Sequence, residues 1–523
     1  MLIESIFLRV YRFNCKTTNK PQSSLCSAKA INSRTITKNN KPSFRGKTVP
    51  AQPKNKNSNP KPEDNQVLLM TTAPPANGAW HLGKRLPPIG LMHVAAALEK
   101  AGFQVQMLDN YLMKKSTDEI KQLITKINPQ IVGITCGSAT YSRCIETAKA
   151  IKQAKPDCKI IVGGWHASYV PDSLLENPEI DYVVMGEGER AVTELATCIT
   201  NGNETAAMAI PGVACRRAGK NIKNPPEFIE NLDEIPYPAR HLLPLELYDR
   251  TIEYLNVKPA DVMSISRGCI FNCGFCETRK LWGNICRGFS PQRVIGEIQD
   301  LQRKYGTKGL YFINDNFTLR KKETLELCDL MVKNKLDLEW VCDTRVDLVD
   351  QELLEAMSKA GCKTIWFGVE SGSQKILQRI GRDTALEQIE NAFKLCRKNG
   401  IQTACSFMLG VPDETLKDME ASLKFAKKLN PDWCLFNIFI ANPDSRLYQE
   451  VLDSKKYTQL DDFLLAVKTD EYDYNSLLAI QRRFFRDFHR SPKQIMKRVK
   501  REGIVNFAKR RLNPNAPKRV GIA

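Results

Sequence analysis

A short loop with three closely spaced cysteines limits what this chain can fold into more than any other feature. Cys269, Cys273 and Cys276 are separated by three and then by two residues on a glycine-containing loop. Thiolates at this spacing can converge on one inorganic centre. A structural zinc ion needs a fourth protein ligand, and a ferredoxin cluster needs a fourth cysteine. The nearest spare cysteine is Cys286, so three ligands would leave one iron of a [4Fe-4S] cluster open to a small molecule.

The loop resembles the signature of the radical S-adenosylmethionine (SAM) superfamily. That signature is a C-x3-C-x2-C pattern with an aromatic residue, here Phe275, before the last cysteine. The resemblance implies a [4Fe-4S] cluster on Cys269, Cys273 and Cys276, with SAM at the open iron and beside Phe275. A three-cysteine zinc site is the alternative that the loop alone leaves open.

The charge of the chain is concentrated at its two ends. The net charge is +19, and residues 1–62 hold 13 Lys and Arg and one acidic residue. Residues 482–523 hold 14 Lys and Arg and two acidic residues, so the stretch between the ends is net negative. We therefore expect no nucleic-acid partner, because a basic groove would have to lie on the folded domains.

Length and composition predict a multidomain protein of a reducing compartment. The 523 residues exceed what one hydrophobic core accommodates, and no run of 18 apolar residues predicts a membrane span. The 17 cysteines lie mostly in apolar segments, which is typical of buried thiols and favours a cytoplasmic location. The polar, basic composition of residues 1–63 predicts a disordered extension. An organellar transit peptide in residues 1–62 is the alternative.

Strand-like and helix-like patterns alternate along residues 64–200. The strand-like runs lie at residues 67–70, 105–108, 131–135, 160–162 and 182–185. This alternation predicts an α/β fold with a doubly wound, Rossmann-like parallel sheet, whose ligand lies outside the carboxyl ends of the strands. Glycine-containing turns follow three of the strands, and glycine lets a large ligand approach the backbone closely.

These turns, with the PPIGL sequence at residues 87–91, resemble the cobalamin-binding domain that precedes many radical SAM domains. The resemblance implies cobalamin contacts from Ser138, Gly163, Gly164, His166, Gly186 and Glu187. None of the five histidines lies in the D-x-H-x-x-G motif through which other cobalamin enzymes ligate cobalt. The resemblance therefore implies cobalt without a histidine beneath it. An empty flavodoxin-like scaffold is the alternative.

Residues 201–255 predict a proline-punctuated linker, and residues 256–455 predict a second α/β domain. Six strand-like runs lie there, at residues 262–266, 309–313, 338–342, 364–369, 403–409 and 435–440. Six such units predict a partial (β/α)6 version of the TIM barrel, with its chemistry at the carboxyl ends of the strands. The cysteine loop follows the first strand, as this rule requires.

Other strand ends resemble the SAM contacts of the superfamily. Asp315, after the second strand, matches the position that receives the SAM amino group. Glu370 and Ser371, after the fourth strand, resemble contacts to the SAM ribose and carboxylate. Residues 456–523 predict a helical, basic C-terminal region that packs on the barrel, and peripheral contact with a membrane surface is the alternative.

The resemblance covers roughly residues 64–455 and implies a cobalamin-dependent radical SAM enzyme. It implies that SAM yields a 5′-deoxyadenosyl radical and that methylcobalamin delivers a methyl group to an unactivated carbon. An electron donor such as flavodoxin or ferredoxin would reduce the cluster. The substrate class stays open among small molecules, including lipids and tetrapyrroles.

Three other functions compete with methyl transfer. The family also includes the anaerobic Mg-protoporphyrin monomethyl ester cyclase, an oxidative enzyme that we rank second. A tRNA methylthiotransferase would have extra cluster cysteines in its first domain and a terminal basic β-barrel, for which the sequence gives no motif. A non-catalytic cobalamin sensor would not need the cysteine triad.

Overall fold

The computed structural model of the protein describes residues 65–74, 86–443 and 445–503. The predicted disordered extension at residues 1–63 and the end of the predicted C-terminal region, residues 504–523, lie outside the described residues. The described part contains two successive α/β units, each built on a largely parallel sheet, and a smaller C-terminal part.

The first unit is built on a seven-stranded sheet with the order β2-β1-β3-β4-β5-β6-β7. The strands are β1 (Gln66–Thr71), β2 (Gln104–Leu108), β3 (Ile131–Thr135), β4 (Lys159–Gly163), β5 (Tyr182–Val184), β6 (Val213–Arg217) and β7 (Lys220–Lys223). The first five are parallel, which confirms the doubly wound sheet, and β6 and β7 are antiparallel. These last two strands extend the sheet beyond residue 200, into the segment predicted as a linker.

Helices cover both faces of this sheet. They are α1 (Ile89–Lys100), α2 (Asn110–Met113), α3 (Thr117–Ile127), α4 (Tyr141–Ala154), α5 (Trp165–Tyr169), α6 (Pro171–Leu175), α7 (Gly188–Thr200) and α8 (Glu204–Ala207). Alternate residues of a strand point to opposite faces. Accordingly, Leu68 and Met70 belong to one apolar cluster, and Val67 and Leu69 to the other. Burial on both faces explains the near-continuous apolar strands.

The second unit is an open barrel of six parallel strands with the order β15-β14-β13-β12-β11-β8. The strands of this part of the chain are β8 (Ala260–Met263), the short β9 (Ser266–Arg267) and β10 (Arg287–Gly288), β11 (Gly309–Phe312), β12 (Glu339–Thr344), β13 (Cys362–Glu370), β14 (Gln402–Leu409) and β15 (Trp433–Ile438). Because β8 and β15 are both edge strands, the barrel does not close, which confirms the predicted partial (β/α)6 fold.

Eight helices of the described part connect or flank these strands. They are α9 (Thr278–Trp282), α10 (Pro291–Tyr305), α11 (Lys321–Lys333), α12 (Gln351–Lys359), α13 (Gln374–Arg379), α14 (Leu386–Lys398), α15 (Leu416–Leu429) and α16 (Arg446–Ser454). Helix α10 begins as its sequence predicts, because the Ser290 side chain caps it by accepting from the Arg293 amide and Pro291 occupies the first turn.

The C-terminal region differs in part from the all-helical prediction. Strands β17 (Tyr457–Gln459) and β18 (Leu465–Val467) pair with β16 (Ile440–Ala441) in a small antiparallel sheet. Such short strands depend on this distant pairing, which local pattern does not reveal. Helices α17 (Tyr474–His489) and α18 (Pro492–Glu502) follow. The predicted aromatic face packs on the barrel edge, where the Phe484 ring lies 5.4 Å from the Phe436 ring of β15.

Candidate active site

The cysteine loop leaves the barrel at the carboxyl end of β8 and is closed at its base by a two-stranded ribbon. Strands β9 and β10 pair antiparallel on either side of the loop. Gly268 has a φ of 97°, and a Cβ atom there would collide with the Ile285 carbonyl oxygen. The loop is also tied to the barrel, because the Gly274 amide donates to the Ile380 carbonyl at 2.8 Å. These constraints hold the three cysteines at the barrel mouth.

Polar groups of the barrel surround the sulfur atoms. Asn316 Nδ2 donates to Cys269 Sγ at 3.2 Å, and Arg345 Nη1 lies 3.8 Å from Cys273 Sγ. Burial raises the pKa of Cys269, and it raises the pKa of the Cys276 thiol to about 12. Metals bind the thiolate form, so the amide and guanidinium donors favour the ligating state that burial disfavours.

This donor set fits a [4Fe-4S] cluster with three protein ligands. Within the described residues, no three His, Cys, Asp or Glu side chains converge on a position for a single metal ion. A cluster presents separate irons to its cysteines, so its ligands need not meet at one point. The assignment of the three cysteines as cluster ligands stays a prediction.

Asp315, the residue predicted to bind the SAM amino group, links the two ends of the cysteine loop. Its Oδ2 accepts from the Gly268 amide at 3.2 Å, and its Oδ1 accepts from Thr278 Oγ1 at 3.1 Å. A carboxylate has further acceptor positions, so these contacts leave it able to receive an ammonium group. Asp315 also lines the cavity described below.

The other predicted SAM contacts make hydrogen bonds and packing contacts within the barrel. Glu370 is buried with a φ of 68°, and its Oε1 accepts from Arg382 Nη2 at 2.9 Å. Ser371 Oγ lies 3.3 Å from Ser422 Oγ. Phe275 is partly buried against the barrel core. None of the three lines the cavity, and their contacts with SAM stay predictions.

A cavity of about 540 Å³ lies between the two sheets, at the carboxyl edges of both. Thr71, Asp109 and Thr135 reach it from the ends of the first three strands of the first sheet. From the barrel it is reached by Asp315 and Asp343, at or after the ends of β11 and β12. A ligand in this space therefore contacts both units at the edges where their ligands are expected.

The six residues predicted to contact cobalamin do not line this cavity. His166 is fully buried, with Nδ1 3.1 Å from Ser138 Oγ and Nε2 2.9 Å from Ser173 Oγ. A Cβ atom on Gly164 would lie 2.9 Å from the Cys136 carbonyl oxygen, so this glycine permits a close approach of chain to chain. Gly163 ends β4 beside it. The predicted cobalamin contacts therefore remain untested, and the geometry gives three of these residues structural partners.

Glu187, which directly follows Gly186, belongs to a buried ion network between the two units. Glu187 Oε1 is 2.7 Å from Arg287 Nη2 and 3.5 Å from Arg267 Nη1. Glu189 also pairs with the Arg267 guanidinium. All four side chains are at most 7% exposed. The network joins the end of the first sheet to the ribbon that carries the cysteine loop.

Sequence reasoning missed most of the residues that line the cavity. They include aromatic side chains from both units, namely Tyr111, Trp165, Tyr169, Trp282 and Tyr311. His93 of α1 also lines it, and its buried Nδ1 has no hydrogen-bond partner among the described residues. Burial lowers the pKa of His93 to about 4, so its ring is neutral. Only the rule that parallel sheets bind at strand ends pointed towards this set.

Two family matches coincide with these units. The B12 binding domain matches residues 79–196, and the Radical SAM superfamily matches residues 263–426. An uncharacterized methyltransferase of Pyrococcus horikoshii is 32% identical over 445 residues, which are 83% of this chain and 95% of that protein. The anaerobic magnesium-protoporphyrin IX monomethyl ester cyclase of Rubrivivax gelatinosus is 30% identical over 426 residues, 78% of this chain and 75% of that protein.

The fold also matches a solved structure. The radical SAM methyltransferase TsrM of Kitasatospora setae, bound to cobalamin and a [4Fe-4S] cluster, superposes with a TM-score of 0.65. The two are 20% identical, and the match covers 80% of this chain and 85% of TsrM.

A B12 binding domain followed by a radical SAM domain defines the class of this protein. It is a radical SAM enzyme and belongs to the cobalamin-binding radical SAM family, whose members here include methyltransferases and a cyclase. This confirms the predicted family, fold and cofactor-binding domains. In the described residues, none of the helices combines the length and apolar character that crossing a membrane requires.

Proposed function

We propose that the protein is a cobalamin-dependent radical SAM methyltransferase that methylates an unactivated carbon of a small molecule. The observation that carries this proposal is the shared cavity, which the carboxyl edges of both sheets border. One substrate there faces both cofactor domains at once. When bound, the cluster and SAM supply a carbon-centred radical, and cobalamin supplies the methyl group.

The residues of the chain position the reactants and exclude water. Asp315 holds both ends of the cysteine loop, which supports the proposal that its carboxylate receives the SAM amino group. Trp165 of α5 and Trp282 of α9 line the cavity, and apolar walls protect a reactive radical from solvent. A one-electron donor such as flavodoxin or ferredoxin is needed to reduce the cluster. Membrane-surface contact by the C-terminal helices stays a prediction.

Oxidative cyclisation is the second candidate. The observation that favours it is the 30% identity with the Rubrivivax gelatinosus cyclase over 78% of this chain. The same cavity and cysteine loop would serve either reaction. We rank methyl transfer first because the relative that covers more of this chain is a methyltransferase.

Label transfer separates the two reactions. Enzyme reconstituted anaerobically with iron, sulfide and cobalamin is incubated with methyl-labelled SAM and an extract of cells that lack the gene. We expect one metabolite to gain the labelled methyl group, and we expect the Cys276→Ala enzyme to give no label. An unlabelled product with an unchanged carbon count would support the cyclase function instead.

A further inference from the structure

A tyrosine and an aspartate form a hydrogen-bonded pair in the wall of the shared cavity. Asp343 lies on β12 and Tyr311 on β11, and the Tyr311 hydroxyl donates to Asp343 Oδ2 at 2.6 Å. Both residues line the cavity. Tyr311 belongs to the same apolar cluster as Val262 and Val341, on the inner face of the barrel. The pair thus lies on the inner surface of the barrel, at its junction with the first unit.

The second oxygen of this carboxyl has no partner. Asp343 is completely buried, and its Oδ1 accepts no hydrogen bond in the part of the chain that the structure describes. Buried polar atoms are normally satisfied, so an unsatisfied one on a cavity wall indicates a missing ligand group. Because Oδ2 accepts the hydrogen bond from Tyr311, Oδ1 is the oxygen that the carboxyl offers to a ligand in the cavity.

No cation neutralises this carboxyl within the described residues. The guanidinium of Arg345, two residues along, is held by Asp347 at 2.8 Å. Arg267, which also lines the cavity, is paired with Glu189. Burial, with a smaller contribution from Asp315, raises the pKa of Asp343 to about 7, although the Tyr311 hydrogen bond opposes the rise. An N–H or O–H group of a ligand would satisfy Oδ1 without bringing a second charge into this buried wall.

We propose that Asp343 is a substrate-binding residue whose Oδ1 accepts a hydrogen bond from a hydroxyl or N–H group on the molecule that is methylated. This inference rests on the proposed function, because it names the chemistry of that substrate. Tyr311 is the positioning residue that fixes the carboxyl. The ribose hydroxyls of SAM carry the same donor chemistry, so the test must separate the two sources.

The acceptor requirement suggests a set of four variants. Asp343→Asn has a single acceptor oxygen, and the Tyr311 hydroxyl, which donates to Asp343 in wild type, competes with the ligand for it. Tyr311→Phe removes the hydroxyl that donates to residue 343. In the double variant Tyr311→Phe/Asp343→Asn, the amide oxygen can therefore turn to the ligand. Ser406→Ala is the matched control. The Ser406 hydroxyl is also buried and has no hydrogen-bond partner in the described part of the chain, yet Ser406 does not line the cavity.

Two measurements on the reconstituted enzymes separate substrate from SAM. The first is the dissociation constant for SAM alone, and the second is label transfer from methyl-labelled SAM into the extract of cells that lack the gene. We expect Asp343→Asn to lower label transfer about 10- to 100-fold, the effect of one buried hydrogen bond to a carboxylate. Its SAM dissociation constant should stay within about twofold of wild type, and the double variant should recover part of the loss.

Each other result overturns a defined part of the inference. If the SAM dissociation constant rises about 10-fold or more, the donor is the SAM ribose and the assignment to substrate is wrong. If Asp343→Asn equals Ser406→Ala in both measurements, Asp343 binds neither molecule. Iron and cobalamin contents identify a variant that fails to fold. If Asp343→Asn fails to fold, Tyr311→Phe is measured in its place and should lose label transfer. If wild type labels no metabolite, the proposed function fails, while SAM binding still tests Asp343.

Discussion

The sulfur atoms of the cysteine loop lie among donors that stabilise a bound thiolate. Asn316 reaches Cys269, and Arg345 reaches Cys273. Such neighbours orient metal ligands and tune the centre that they hold. The resemblance identified the cysteines but not these donors, because they come from strand ends that are more than 40 residues away along the chain.

The first prediction concerns the ligand set of the cluster. Changing Cys269, Cys273 or Cys276 to Ala should abolish cleavage of SAM, because the open-iron cluster needs all three thiolates. Reconstituted wild type should contain about four irons per chain. Cys286→Ala is the matched control, since Cys286 is the next cysteine along the chain and should not be a ligand. Stoichiometric zinc without iron absorbance, or loss of activity only in the control, would refute the ligand set.

The second prediction concerns His166 and acid stability. Burial lowers the pKa of His166 from 6.5 to about 4, so the unfolded chain binds the extra proton between these pH values. Stability contributed by the neutral ring is full above pH 6.5 and is lost as the pH falls towards 4. Between pH 7 and 5, wild type should lose about 2 kcal/mol relative to His166→Gln.

Urea unfolding at the two pH values measures this difference. His241→Gln is the control, because the His241 side chain is 59% exposed. An equal pH dependence in wild type and His166→Gln would mean that His166 can be protonated in the folded protein.

At the scale of helices and strands, the buried ion network connects the end of the first sheet to the ribbon that carries the cysteine loop. Glu189 lies in the first turn of α7, and Arg267 immediately precedes the loop. Helix α7 therefore holds the ribbon of β9 and β10 in place. Breaking a buried ion pair leaves an uncompensated charge, which is far more destabilising than breaking an exposed one.

The third prediction follows from this network. Glu189→Gln should lower the free energy of unfolding by about 3 kcal/mol, because Arg267 then loses its closest carboxylate. Glu146→Gln is the matched control, since the Glu146 side chain is 51% exposed in its pair with Arg143. Chemical unfolding compares the two. Equal stability of both variants would show that the network does not hold the units together.

The positions of the strands were largely predictable from the sequence, whereas the groups that pack against the turns after them were not. All eleven predicted strand runs overlap observed strands, because parallel strands buried on both faces are unmistakably apolar. The glycine turns predict room for cobalamin, and in the structure Gly164 also lies against the backbone of Cys136. A glycine pattern alone does not distinguish a ligand from another segment of the chain.

At the scale of the whole molecule, the carboxyl edges of the two sheets face each other across one cavity. This apposition brings together residues as distant along the chain as Thr71 and Asp343. No local pattern encodes it, which is why Asp315 alone of the predicted site residues lines the cavity. The arrangement supports the proposal that one substrate meets both cofactors in this cavity.

The stoichiometry of the products from SAM tests this account most directly. Methyl transfer uses SAM both as methyl donor and as radical source. Reconstituted enzyme with both cofactors and its substrate should therefore form S-adenosylhomocysteine and 5′-deoxyadenosine in a ratio of about one to one. Formation of 5′-deoxyadenosine with substrate turnover, but without matching S-adenosylhomocysteine, would contradict methyl transfer.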